Sequence, residues 1–170
     1  MSNIAPDVRS RMMAAVKGKD TKPEMAVRKG LHALGFRYSL HSSKFSGRPD
    51  MALPKHRAVI WIHGCFWHGH GCPACRPARS RTEFWGPKVA RTKERDAEAL
   101  AAVQAKGWRS LVIWECALGK EDAAETVSRA AAWLRGTDEA AEIEGYPSGS
   151  SAPSSTSSSG AASGTDLPAK

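Results

Sequence analysis

Between His63 and Cys72 the chain reads His-Gly-Cys-Phe-Trp-His-Gly-His-Gly-Cys. Three of its six histidines and two of its four cysteines fall in these ten residues. Thiolates and imidazoles are zinc ligands, and a closed structural site takes four of them in a tetrahedron. Cys65, His70 and Cys72 are close enough in sequence to share one ion. Cys116 follows an apolar run, and it completes the set if that run is a strand lying beside residues 59–62. Such an ion would staple a loop to a sheet and supply ~10 kcal/mol or more of folding energy, without doing chemistry. Cys72-Pro73-Ala74-Cys75 leaves two other readings open. Cys75 can replace Cys72 at the ion, or the C-x-x-C pair can be a thiol redox centre. Arg76-Pro77 is a poor start for the helix that a redox pair needs. Cys116 also has a plain reading as a buried, inert thiol.

A second group could work on a phosphate. Gly47-Arg48-Pro49-Asp50 puts a carboxylate at the start of a short strand, and the next strand ends Trp61-Ile62-His63. This resembles the arrangement of PD-(D/E)xK nucleases, with Trp61 at the second acidic position and His63 at the lysine position. Magnesium is held by one or two carboxylates together with waters and phosphate oxygens, and Asp50 is the candidate ligand. Glu24 can add a second negative charge, or serve only as the acid of a helix cap; the two roles are compatible. His63 and His68 are spare if zinc takes the four ligands above. An imidazole titrates near neutrality, which suits it to take a proton from water or give one to a leaving oxygen. Phe66 and Trp67 are two large rings in a polar, glycine-rich loop, costly to leave wet. They either meet a partner or pack as a small core on the loop.

The elements that must position these groups can be read from periodicity and caps. Thr21-Lys22-Pro23-Glu24 is a capping-box pattern. It opens a helix through Val27 and Leu31 to Leu34, ended by Gly35. Residues 36–40 alternate like a half-buried strand, residues 49–54 form a short strand between prolines, and residues 58–62 are apolar enough for a central strand. A helix is predicted over 87–106, a buried strand over 108–114 and a last helix over 121–135. The order α-β-β-β-α-β-α gives an α/β fold, a mixed sheet with helices on both faces.

Charge points to the partner. Residues 1–120 carry 22 basic and nine acidic side chains, a balance of +13, whereas residues 121–145 carry two basic and seven acidic. A body this basic suits a polyanion, and nucleic acid is the commonest one. Residues 1–19 read as a basic DNA-binding arm, 20–145 as the catalytic domain and 146–170, rich in Ser, Gly and Ala, as a disordered tail. No apolar run approaches the ~20 residues of a membrane span, and residues 1–7 lack the apolar stretch of a secretory signal. A cytoplasmic location is therefore expected, where thiols stay reduced.

Five motifs in order, D-T-K-P-E from Asp20, G-R-P-D from Gly47, H-G-C-F-W-H-x-H-x-C from His63, R-T-E-F-W from Arg81 and V-I-W-E-C-A from Val112, resemble the very short patch repair (Vsr) endonuclease family. The resemblance implies a restriction-endonuclease-like fold with a structural zinc site. It also implies a magnesium-dependent nick on the 5′ side of the thymine in T:G mismatches, which arise when 5-methylcytosine deaminates. By matching position, Asp50 would bind Mg²⁺ with the backbone carbonyl of Ile62, His68 would be the general base, His63 would polarise the phosphate and Glu24 would support the site. Cys65, His70, Cys72 and Cys116 would hold Zn²⁺. Phe66 and Trp67 would enter the major groove beside the mismatch, and Met13, with Met12 as its rival, would wedge in from the minor groove. Lys88 and Thr92, one helical turn apart, would read nearby base pairs; Arg91 and Arg95 suit phosphate contact or solvent. Partners would be mismatched double-stranded DNA bound by a monomer in the nucleoid, with mismatch-repair accessory proteins and a repair polymerase as further candidates. Three other readings remain: a restriction-system nuclease cutting matched sites, a zinc-stabilised DNA-binding protein without activity, and a thiol oxidoreductase built on Cys72 and Cys75.

Overall fold

The computed structural model describes residues 19–73, 75, 82–119 and 122–145, together with Val8 and Arg11. Met12, Met13 and the serine-rich segment 146–170 lie outside the described residues, as does most of the basic arm.

Helix α1 spans Lys22–Ala33. Its first turn is capped by Thr21 as expected, the hydroxyl accepting from the Glu24 N–H at 3.4 Å, while the Glu24 carboxylate reaches one residue past the N-cap and accepts from the Asp20 N–H at 3.1 Å. Gly35, at φ +89°, turns the chain out of the helix, as a left-handed position after a helix requires. Strand β1 is only Ser39–Leu40, shorter than the predicted 36–40. The Phe36 N–H is taken by the Leu31 carbonyl at 3.0 Å, so the helix ending claims that residue before the sheet can.

Strand β2 spans Met51–Leu53, β3 Ala58–His63 and β4 Arg109–Trp114. β2 is shorter than the predicted 49–54 because Pro54 opens a one-turn 3-10 helix, Pro54–His56. Helix α2, Thr82–Ala105, connects β3 to β4. It begins a turn before the predicted start at 87. Pro87 lies inside it, where its missing N–H costs one bond of the early ladder. The turn it follows carries Phe84 and Trp85. Helix α3 spans Ala123–Arg135, two residues shorter than predicted, and is followed by a strand the sequence reading did not foresee, β5 at Ala140–Ile143.

The five strands lie in chain order across one sheet. β1–β2 and β2–β3 are antiparallel, and β3–β4 and β4–β5 are parallel. The mixed sheet with helices on both faces is thus as expected. On one face Val27 and Leu31 of α1 and Val127, Ala130 and Leu134 of α3 pack on Ile60, Leu111 and Ile113. On the other, Ala99 and Val103 of α2 pack on Ala52, Val59 and Trp61. Alternate residues of β3 serve the two cores, as the period of a strand dictates. Gly30 lets α1 and α3 approach: a Cβ there would lie 2.6 Å from both Val127 methyls. Parallel pairing places His63 opposite Trp114, so the loops that carry the chemistry leave neighbouring strand ends together.

Candidate active site and metal centre

Beyond β3 the chain folds back on itself. The His68 N–H donates to the Gly64 carbonyl at 3.1 Å and the His70 N–H to the Cys65 carbonyl at 2.9 Å. Beyond β4, Cys116 lies in a one-turn 3-10 helix, Glu115–Leu118. One donor atom each from Cys65, His70, Cys72 and Cys116 lies within 4.8 Å of all the others. Cys75 is outside this group: its thiol donates to the Cys65 carbonyl at 3.3 Å, and its N–H donates to the Cys72 carbonyl at 2.8 Å. Burial pushes the Cys65 thiol up to about 12 and raises that of Cys116. Crowded, desolvated thiols give up protons when a cation takes their place, so three sulfurs and one imidazole are a set able to hold a metal ion.

The second cluster lies beside the first, in a cavity of about 230 Å³ lined by Glu24, Asp50, Ile62, His63, His68 and Asp96, among others. Asp50 precedes β2 and reaches across to β3, where its Oδ2 accepts from the Ile62 N–H at 2.7 Å. Burial raises its pKa; the Ile62 bond opposes that and the charge of Glu24 adds to it. A buried carboxylate pushed towards its neutral form is one that a cation would restore to charge. Glu24 is already engaged: besides the cap it accepts from Arg28 Nη2 at 2.8 Å, so the helix-cap reading and a place in the cavity hold at once. Trp61, at the position where a second carboxylate would stand, is buried in the α2-side core.

His68 Nδ1 lies 2.6 Å from Asp96 Oδ2. An ionised carboxylate only accepts, so this bond holds a ring proton on Nδ1, and in the neutral imidazole that tautomer leaves the lone pair on Nε2. The His63 ring stacks on His68, with centroids 3.8 Å apart. Burial lowers the His63 pKa to about 4, with the neighbouring His68 ring adding to the shift and Asp96 opposing it, which leaves the His63 ring neutral at pH 7. The sequence reading missed Asp96, which sits in the charged run Lys93-Glu94-Arg95-Asp96. One signal was available: Asp96 shares helical spacing with Ala99, Leu100 and Val103, so it is an acid on the apolar face of α2. Arg28 and His41, 3.1 Å apart beside Glu24, were also missed, since nothing in the sequence links them.

Phe66 and Trp67 belong to neither core. They are half-buried and meet each other edge to face at 5.2 Å. Trp85 lies 5.1 Å from Phe66 and 5.7 Å from Trp67, and Phe84 extends the group towards solvent. Trp85 is thus a further member of the aromatic cluster that the sequence reading did not single out. Lys88 Nζ lies 5.2 Å from the Trp85 ring centre. The Thr92 hydroxyl donates to the Lys88 carbonyl at 3.0 Å, and Arg91 and Arg95 are exposed.

A family profile described as DNA mismatch endonuclease Vsr matches residues 1–74. A type II nicking enzyme, V.XorIIP, of Xanthomonas oryzae pv. oryzae is 43% identical over 122 residues, which cover 72% of this chain and 90% of that protein. The DNA mismatch endonuclease Vsr of Escherichia coli K12 is 36% identical over 139 residues, covering 80% and 89%. The chain belongs to the Vsr family. As a Vsr-family protein it is a DNA endonuclease, a hydrolase whose partner is DNA. A type II nicking enzyme of Neisseria meningitidis, V.NmeAIP, is 41% identical over 110 residues, covering 65% of this chain and 79% of that protein. Among the described residues, no helix is long and apolar enough to cross a membrane.

Proposed function

We propose that this Vsr-family protein nicks one strand of duplex DNA on the 5′ side of the thymine in a T:G mismatch and so starts very short patch repair. The observation that carries the reading is the joining of Asp50, His63 and His68 in one cavity, with His68 on the same loop as a ring pair that neither core absorbs. The activities for which the relatives are named, mismatch endonuclease and nicking enzyme, support a cut in one strand.

His68 is the general base. Asp96 holds Nδ1–H, and Nε2 takes a proton from the water that attacks phosphorus. His63, neutral at pH 7, donates an N–H to a phosphate oxygen. Asp50 holds Mg²⁺ with the Ile62 carbonyl, and Glu24 adds negative charge nearby. When bound, that ion neutralises charge building on the phosphate. Cys65, His70, Cys72 and Cys116 hold a structural Zn²⁺ that fixes the loop carrying His68.

Phe66 and Trp67, backed by Trp85, open the step beside the mismatch from the major groove, with Met13 entering from the minor groove. A T:G wobble is weaker than a matched pair, so separating its neighbours costs less than the few kcal/mol of an ordinary step. Lys88 and Thr92 face the flanking base pairs. With its hydroxyl bonded to the helix, Thr92 reads mainly through its methyl group. The protein acts as a cytoplasmic, nucleoid-associated monomer, with mismatch-repair proteins and a repair polymerase following it.

The test is nicking by the full chain of duplexes that differ only in T:G against T:A, with Mg²⁺ or with EDTA. The expected product is a single-strand nick in the T:G duplex with Mg²⁺ alone, lost in Asp50→Ala while DNA binding persists. Equal cutting of both duplexes, or no cutting with Mg²⁺, overturns the reading.

A further inference from the structure

The acidic segment 121–145 has no part in the function proposed above, yet its end lies on the metal centre. β5 pairs in parallel with β4 and is anchored by Ile143, which is 4% exposed. The next two residues cross the turn that holds Cys116. Glu144 Oε1 lies 3.3 Å from His70 Nε2, while the other ring nitrogen, Nδ1, lies 3.6 Å from Cys116 Sγ. Trp114 stacks on the same imidazole at 4.0 Å. The Gly145 N–H points at Cys116 Sγ from 3.4 Å. Any Cβ at position 145 would overlap the Cys116 carbonyl, so glycine is what lets the segment pass this close. The Glu144 carbonyl in turn accepts from Arg129 of α3 at 3.5 Å.

We infer that Glu144 is a positioning residue for the metal centre, holding the His70 ring so that Nδ1 faces the three sulfurs. The inference rests on the zinc reading of that centre. An imidazole that ligates through Nδ1 leaves Nε2–H to donate, and a carboxylate acceptor there fixes both tautomer and ring orientation and makes the ligating nitrogen more basic. Gly145 adds a backbone N–H to the Cys116 sulfur, where it offsets thiolate charge. Two of the four ligands are thereby set by one dipeptide that follows β5. The competing reading is a rim ion pair between groups of which one, Glu144, is 55% exposed; such pairs contribute little and would leave metal affinity alone.

The experiment is zinc affinity of the full chain at pH 7.5, by competition with a chromophoric chelator, for the wild type, Glu144→Ala, Glu144→Gln and, as a control on the exposed approach to β5, Glu139→Ala. Glu144→Ala is expected to weaken zinc binding by ~10-fold. Glu144→Gln should lose less, because its amide oxygen still accepts from Nε2–H, and Glu139→Ala should match the wild type. The absorption of the cobalt-substituted protein should change in Glu144→Ala, while the melting of the zinc-stripped chain stays that of the stripped wild type. Zinc affinity within twofold of wild type in Glu144→Ala, with an unchanged cobalt spectrum, overturns the inference alone. A wild-type chain that binds no zinc overturns the metal-centre reading on which it rests.

Discussion

His68 can take a proton only while one of its ring nitrogens is kept empty, and Asp96, at 2.6 Å from Nδ1, decides which one. An amide at that position can present its oxygen or its NH₂, and the second choice moves the ring proton to the nitrogen that acts as base in the proposed mechanism. Asp96→Asn is therefore expected to slow single-turnover nicking by ~100-fold or more with mismatch binding preserved; unchanged nicking removes Asp96 from the mechanism. His63 carries a pH prediction of definite sign. Its native pKa, about 4, lies below the ordinary 6.5. As pH falls from 6.5 towards 4 the unfolded chain takes up a proton that the native chain refuses. The stabilisation is complete above pH 6.5 and is lost through that window, by up to ~3 kcal/mol. Denaturant melts at pH 7 and pH 5 should show His63→Gln losing less stability than wild type; parallel losses would argue against the burial effect. Asp50, His63 and His68 were singled out because their types and spacing suit phosphate chemistry, and the structure brings them to one cavity. Asp96 was hidden by the charges around it, and Trp85 by its distance from the loop it packs on.

At the scale of elements, legibility followed periodicity and caps. α1, β3 and β4 are close to their predicted spans because a capping box and apolar runs of the right length define them. β5 was invisible: Ala140-Ala141-Glu142-Ile143 has no β-branched run and lies in an acidic stretch, and only pairing with β4 makes it a strand. The α1–α3 contact could not be read either, because Gly30 looks like a defect in an isolated helix. Its role is close approach, and that has a measurable consequence. Gly30→Ala would press a methyl group into Val127, a stiff β-branched side chain, and should cost about 1–3 kcal/mol. In a Val127→Ala background the same change should cost much less. A double-mutant cycle in urea reads the difference, and additive losses would mean that the helices are free to separate.

The whole molecule joins two sites with different demands on their ions, and this separates them experimentally. The sulfur-rich centre lies between the loop after β3 and the turn after β4, so on the zinc reading losing its ion would release the segment that bears His68, Phe66 and Trp67. The Asp50 site, by contrast, would on the proposed reading fill only when a phosphate completes the coordination. Dialysis against EDTA followed by Mg²⁺ should restore full nicking, provided the zinc has stayed bound. Stripping with a stronger thiol-competing chelator should lower the melting temperature by ~10 °C or more, since a structural zinc would supply ~10 kcal/mol or more of folding energy. Mg²⁺ should not then restore nicking, whereas Zn²⁺ followed by Mg²⁺ should. The sheet and its two cores lie outside the loop, so the stripped chain should keep its far-ultraviolet circular dichroism at low temperature. Residual DNA affinity should also survive, because most of it is phosphate contact by a body of charge +13 over residues 1–120. It should fall with salt at a log–log slope near ~0.9 per phosphate touched. A stripped protein that still discriminates T:G from T:A would show that the rings do not need the metal centre to hold them, and would break the link between that centre and mismatch selection.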